Sequence, residues 1–203
     1  MFEQTSYSEQ LTFFQKLRSF DYILLLCIVS IGIISGFSMY STDGGELLYH
    51  SRSHIIRLAI FFTMMICFSF FSIRFWHSIG YLFYAIVLFL LIWASLHGIT
   101  ASGSQRWVSL YFINLQPSEL MKVAIIIFYA KFYHRMQISN INNFKNLLIP
   151  FAILILPILL VASQPDLGTA ILIGLSGLVA LWLSGLHVRF FVYSSLAFLV
   201  SMP

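Results

Sequence analysis

Long apolar runs broken by short polar stretches govern what this chain can become. They extend from Tyr22 to Tyr40, Ile55 to Ile73, Ile79 to Leu96, Leu120 to Tyr133, Leu147 to Ala162 and Thr169 to Leu186, with a last one from Phe190 to the end. A bilayer span takes roughly 20 apolar residues. Lipid offers no hydrogen-bond partners, so a spanning segment satisfies its own backbone as a helix unless the chain closes into a barrel. Runs this long without period-2 alternation exclude the barrel. The spacing predicts an all-α, polytopic transmembrane helix bundle of six complete spans plus an incomplete seventh. The seventh is incomplete because Phe190 to Pro203 is 14 residues, about 21 Å of helix against a hydrocarbon core of about 30 Å. On this reading residues 1–203 form one transmembrane domain, 1–20 are a cytoplasmic N-terminal segment, and the chain is expected to be a fragment or truncated product.

Composition agrees. Of 203 residues, 60% belong to the set AVILMFWYC and 9% are charged, whereas soluble domains carry about 25% charged residues. A soluble globular domain is excluded, and an aromatic content of 17% excludes intrinsic disorder. The net charge of +4 does not point to nucleic acid, because Lys and Arg are scattered singly between apolar runs rather than clustered. Cys27 and Cys67 sit inside apolar runs, where a thiol packs as a small hydrophobe. The first run exceeds the apolar core of a cleaved signal peptide and is read as a retained span.

Basic residues in short loops set orientation. With the N-terminus in the cytoplasm, Lys16, Arg18, Arg74, Lys131, Arg135, Lys145 and Arg189 fall inside, and Arg52, Arg57, Arg106 and Lys122 fall outside. This arrangement places three polar stretches on the outer face: Ser41 to His54, His97 to Gln116, and Gln164-Pro165-Asp166.

Two of these stretches carry the chemistry. In Gln116-Pro117-Ser118-Glu119-Leu120-Met121-Lys122, Pro117 suits the first helical position. Glu119 falls in the first turn, where the helix dipole favours negative charge, and Lys122 follows at i+3 on the same face. The segment from Arg106 to Leu115 alternates aromatic and polar residues, as expected of backbone lying along the interface, with Trp107 and Tyr111 as anchors. In Gln164-Pro165-Asp166-Leu167-Gly168-Thr169-Ala170, Pro165 ends one helix and Asp166 caps the next, while Gly168 is expected to let a neighbouring backbone approach. A sharper expectation is that Asp166 pairs with Lys122, with Arg106 joining them or facing a phosphate. Gly32 with Gly36, and Gly174 with Gly177, are read as small-residue packing positions. No metal-ligand spacing, phosphate loop or nucleophile elbow is found.

These two motifs, with Gly103-Ser104-Gln105-Arg106-Trp107 ahead of the first, resemble the SEDS family of shape, elongation, division and sporulation proteins. Gln105, the Leu-Met-Lys ending and Asp-Leu-Gly are more similar to its elongation branch than to its division branch. The resemblance runs along essentially the whole chain but only about half of a family member, for which ten spans are expected. It implies a peptidoglycan glycosyltransferase that polymerises lipid II, an undecaprenyl-linked precursor, outside the bacterial cytoplasmic (inner) membrane beside a class B penicillin-binding protein. It places Arg106, Glu119, Lys122 and Asp166 at positions important for activity, supported by Trp107, Gln116, Pro117, Ser118, Gln164, Pro165 and Gly168. The family's catalytic aspartate is expected beyond Pro203, so no catalytic residue is identified here and the 203-residue chain alone is expected to be inactive. The cofactor stays open, a divalent cation being one way to steady a leaving pyrophosphate. Two other functions remain: a flippase or transporter of the lipid-linked precursor, and a membrane scaffold for the wall-synthesis complex.

Overall fold

The computed structural model describes residues 13–101, 104–109, 114–134, 136 and 141–192. Among them the order is α1 (Phe13–Arg18), α2 (Tyr22–Thr42), α3 (Tyr49–Ser69), α4 (Ile73–His97), β1 (Ile99–Ala101), β2 (Ser104–Ser109), β3 (Asn114–Leu115), α5 (Pro117–Tyr133), α6 (Phe144–Ala162) and α7 (Leu167–Leu183). The chain divides into two compact units, Met1–Ser72 and Ile73–Pro203. The final apolar run from Phe190 lies largely outside the described residues, as do Tyr111, Gly103 and Arg135.

Helices dominate as expected. Three of them, α2, α3 and α4, are long and apolar enough to cross a membrane, while α7 and the stretch Asn146–Ala162 of α6 are shorter apolar helices. Helix bounds depart from the apolar runs where a polar turn continues the same hydrogen-bond ladder. α3 starts at Tyr49 rather than Ile55, so Arg52 lies within the helix instead of in the loop, and like Arg57 it is exposed there. The interfacial loop is not irregular. It forms a three-stranded antiparallel sheet in the order β1-β2-β3, so the fold is helical with a small sheet between α4 and α5 rather than purely α.

In the first unit, α2 and α3 form a hairpin. Asp21 caps α2 through Oδ1, which accepts from the amides of Ile23 and Leu24. The turn back relies on Gly44 and Gly45, whose φ angles of +79° and +86° an L side chain rarely adopts. The notch between Gly32 and Gly36 seats the neighbouring helix: a Cβ at Gly32 would collide with Leu58, and His54 Nε2 lies 3.2 Å from the Gly32 carbonyl. The first turn of α3 has no side-chain cap of its own, since Leu48 stands at the N-cap. Asp43 supplies one from the end of α2: its Oδ2 accepts from the Ser51 amide at 2.7 Å and from the Ser51 hydroxyl, and its Oδ1 lies 2.8 Å from His50 Nδ1.

The Ser51 hydroxyl, then its amide, then His50 hold the Asp43 carboxyl down to about 2, against an ordinary 3.8. A depressed carboxyl contributes stability that is present above the unfolded value and lost as pH falls through the folded one. The hairpin's Asp43 contribution is therefore expected at pH 6 and is lost as pH falls from about 3.8 to about 2. Melting of the detergent-solubilised chain should show Asp43→Asn clearly below wild type at pH 6, with most of the gap closed near pH 2. An equal gap at both pH values would remove the cap.

The second unit holds the core. Tyr84, Val87, Leu91 and Ala94 recur at helical spacing on α4 and are buried with Met121, Ala124, Ile125, Phe128 and Tyr129 of α5. Ala170, Ile173, Gly177 and Leu181 form the buried stripe of α7, against which α6 packs. A Cβ at Gly177 would lie 2.3 Å from Leu154 Cδ1, so the absence of a side chain sets that approach. Large apolar side chains meanwhile face outward: Phe89 is 62% exposed and Leu183 74%. Exposed apolar surface on this scale marks a surface made for lipid.

Candidate functional site

The sheet positions Arg106. Ile99 pairs with Trp107 but Thr100 pairs with Gln105, so Arg106 is the extra residue of a β-bulge. Bulges re-aim a side chain out of the regular alternation. The sheet packs on the end of α4: a Cβ on Gly98, which follows the helix, would stand 3.2 Å from the Trp107 carbonyl oxygen of β2.

Arg106 Nη1 meets Asp166 Oδ2 at 2.9 Å. The expected pairing of Asp166 with Lys122 is therefore corrected. Lys122 Nζ instead donates to both carboxylate oxygens of Glu119, at 2.8 and 2.9 Å. The i+3 spacing lets that pair close within one helix, whereas the bulge delivers a cation to Asp166 from the sheet. Asp166 does cap α7, its Oδ1 accepting from the Thr169 amide at 3.2 Å, and Gln116 Nε2 donates to Oδ2 at 3.3 Å. Gln116 is the N-cap residue of α5 and Asp166 that of α7, so two helix N-termini meet here. Pro117 stands at the start of α5, buried together with Ser118.

Asp166 is 9% exposed. Burial alone would raise its carboxyl, but hydrogen bonds from Arg106 and Thr169, with the Arg106 charge, outweigh that and hold it below the ordinary range. Arg106 keeps a buried Nε–H without a hydrogen-bond partner among the described residues. Gln164 is buried beside the turn, Pro165 is exposed and Trp107 half-buried. Gly168 does not serve a close approach: open space surrounds the place its Cβ would occupy.

Electrostatically, two side-chain cations are balanced by two carboxylates, and two helix N-termini add roughly half a positive charge each. The balance favours an anion, which helix N-termini bind through free amides. A divalent cation does not fit, since Asp166 and Glu119 are each committed to a basic partner, and no group of three or more His, Cys, Asp or Glu able to hold a metal occurs among the described residues.

Long apolar helices with outward-facing apolar side chains define a polytopic α-helical membrane protein, and in its second unit a polar cluster stands at the N-terminal ends of α5 and α7. The chain belongs to the FtsW/RodA/SpoVE family of cell cycle proteins, whose family model matches residues 16–202. Among its relatives, peptidoglycan glycosyltransferase MrdB of Escherichia coli K12 is 33% identical over 178 residues, covering 88% of this chain and 47% of that protein. A probable peptidoglycan glycosyltransferase FtsW of Buchnera aphidicola subsp. Baizongia pistaciae is 28% identical over 194 residues, covering 92% and 51%. The chain thus spans about half the length of these relatives. The fold is similar to that of the Thermus thermophilus rod shape determining protein RodA, with a TM-score of 0.73 at 21% identity over 90% of this chain and 59% of that one. It is also similar to a chain of a peptidoglycan synthase complex, with a TM-score of 0.78 at 22% identity over 91% and 54%.

Proposed function

We propose that this chain is part of a peptidoglycan glycosyltransferase that polymerises lipid II during cell elongation in the bacterial cytoplasmic membrane, beside a class B penicillin-binding protein. Residues 1–203 form one transmembrane domain with the N-terminus inside and α2 to α7 as six complete spans, and the Arg106–Asp166 cluster faces outward. The observation that carries this reading is the meeting of two helix N-termini with Arg106 at the Gln116–Asp166 contact. A glycosyl transfer from a lipid pyrophosphate needs a base for the attacking hydroxyl and positive charge for the leaving group. Arg106 and Lys122 supply the second. The base is left to the aspartate that the family resemblance expects beyond this chain, and Asp166 does not take that role because Arg106 and Thr169 occupy its oxygens. A transporter would line its midplane with polar groups. Here the charged side chains of the α4–α7 segments lie near the helix ends.

The test is reconstitution of the full-length gene product with its penicillin-binding partner and lipid II, read as glycan strands on a gel. Strands are expected from the full-length protein and none from the 203-residue chain. No strands from the full-length complex would overturn the assignment, and strands from the short chain would misplace the base.

A further inference from the structure

α6 carries two buried prolines, Pro150 and Pro157, inside its length. Proline has no N–H, so each removes the donor for the carbonyl four residues earlier. For Pro157 that carbonyl belongs to Ile153. In a membrane no water fills such a gap, and neighbouring helices must. Tyr84 of α4 does so: its hydroxyl donates to the Ile153 carbonyl at 2.8 Å. Tyr129 of α5 adds a second anchor one turn away, donating to the Pro150 carbonyl at 2.7 Å. Both tyrosines are buried, so each hydroxyl has a specific partner rather than solvent.

The connection reaches the polar cluster by two arms of nearly equal length. From Tyr84, α4 runs 14 residues to Gly98, where the sheet carrying Arg106 is attached. From Ile153, 13 residues of α6 and its turn lead to Asp166. The Arg106–Asp166 ion pair closes the far end of this loop, and the Tyr84–Ile153 hydrogen bond closes the near end. We infer that Tyr84 is a positioning residue for the Arg106–Asp166 pair, acting through the carbonyl that Pro157 leaves open. Its hydroxyl fixes the direction in which the last turns of α6 leave the proline, and so fixes where Asp166 stands relative to the bulge. The inference concerns geometry and holds whichever anion the cluster binds.

The test uses the chain in detergent, with Cys27 and Cys67 replaced by serine and spin labels on cysteines at the exposed positions Ile99 and Leu167. Tyr84→Phe removes only the donor. It is expected to broaden and shift the label-to-label distance and to lower the melting temperature by several degrees. Adding Pro157→Ala returns an N–H to the Ile153 carbonyl and is expected to restore both readouts. A distance distribution unmoved by Tyr84→Phe, or a double variant no closer to wild type than Tyr84→Phe, would overturn the inference. Should Pro157→Ala by itself unsettle the chain, the melting loss caused by Arg106→Gln decides: it is expected to shrink by at least half in the Tyr84→Phe background, and an equal loss in both backgrounds counts against the role.

Discussion

Arg106→Ala is expected to destabilise the folded chain by about 3 kcal/mol, at the low end of what breaking a buried ion pair costs. The low end applies because Arg106 keeps 24% of its side chain exposed, so its own removal from water was incomplete. The loss comes from the carboxylate left behind. Asp166 stays covered, with Thr169, through its amide and its side chain, and the Gln116 amide nitrogen on its oxygens. With Arg106 gone, the upward push of burial is opposed by fewer groups, and the carboxyl takes up a proton at higher pH than in the wild type. The sign follows from the depressed folded value: wild type loses the pair's contribution as pH falls through it, and Arg106→Ala, having no pair to lose, flattens that acid limb. Asp166→Asn retains a capping oxygen for α7 and removes only the charge. Chemical or thermal unfolding of the two single variants and the double should give strongly non-additive losses, the double costing little more than the worse single. Simple additivity would show that the two residues do not act as a pair. Lys122→Asp combined with Asp166→Lys, the reversal suited to the pairing the sequence suggests, should rescue nothing.

Why one pairing was legible and the other was not comes down to range. Glu119 with Lys122, Pro117 at the head of α5 and Asp166 at the head of α7 are fixed within one turn of helix, and spacing alone reveals them. Arg106 meets Asp166 only because one extra residue in β2 turns its side chain out of register, and the register depends on how β1 returns. The signal for the strand itself was present: Gln105-Arg106-Trp107-Val108-Ser109 alternates polar residues with an aromatic and a β-branched one. In a chain dominated by helical runs that alternation reads as an interfacial loop. The Asp43 cap was hidden differently, since its only local clue is that Leu48 cannot cap α3. Pro157 announces a missing donor from sequence, but Tyr84 lies 69 residues before Ile153, whose carbonyl it takes, and only packing brings it there. Helix bounds shifted for the same reason that hydropathy finds spans: it marks where lipid contact ends, whereas the backbone ladder of α3 runs on through His50, Ser51 and Arg52.

Lys122→Ala is expected to separate folding from function. The Glu119–Lys122 pair lies within one helix, with the Glu119 side chain 55% exposed, and such i,i+3 pairs contribute about 0.2–0.5 kcal/mol. Water replaces the partner on either side, so melting of Lys122→Ala should stay within about a degree or two of wild type for a unit of this size. If Lys122 steadies the leaving pyrophosphate, the reaction loses a positioned hydrogen-bond donor to the developing negative charge, a loss which elsewhere lowers turnover by about 10²–10³. The full-length protein carrying Lys122→Ala should therefore fold, enter the membrane and bind its partner, yet polymerise lipid II more slowly by that factor. Glu119→Gln sharpens the same point. It frees the lysine from its carboxylate without removing its charge, and should leave turnover far above that of Lys122→Ala. Synthesis at the wild-type rate in Lys122→Ala would remove the lysine from the reaction. A fall in activity that tracks a fall in melting temperature across these variants would make the pair structural, and would leave Arg106 with the two helix N-termini as the whole of the anion site.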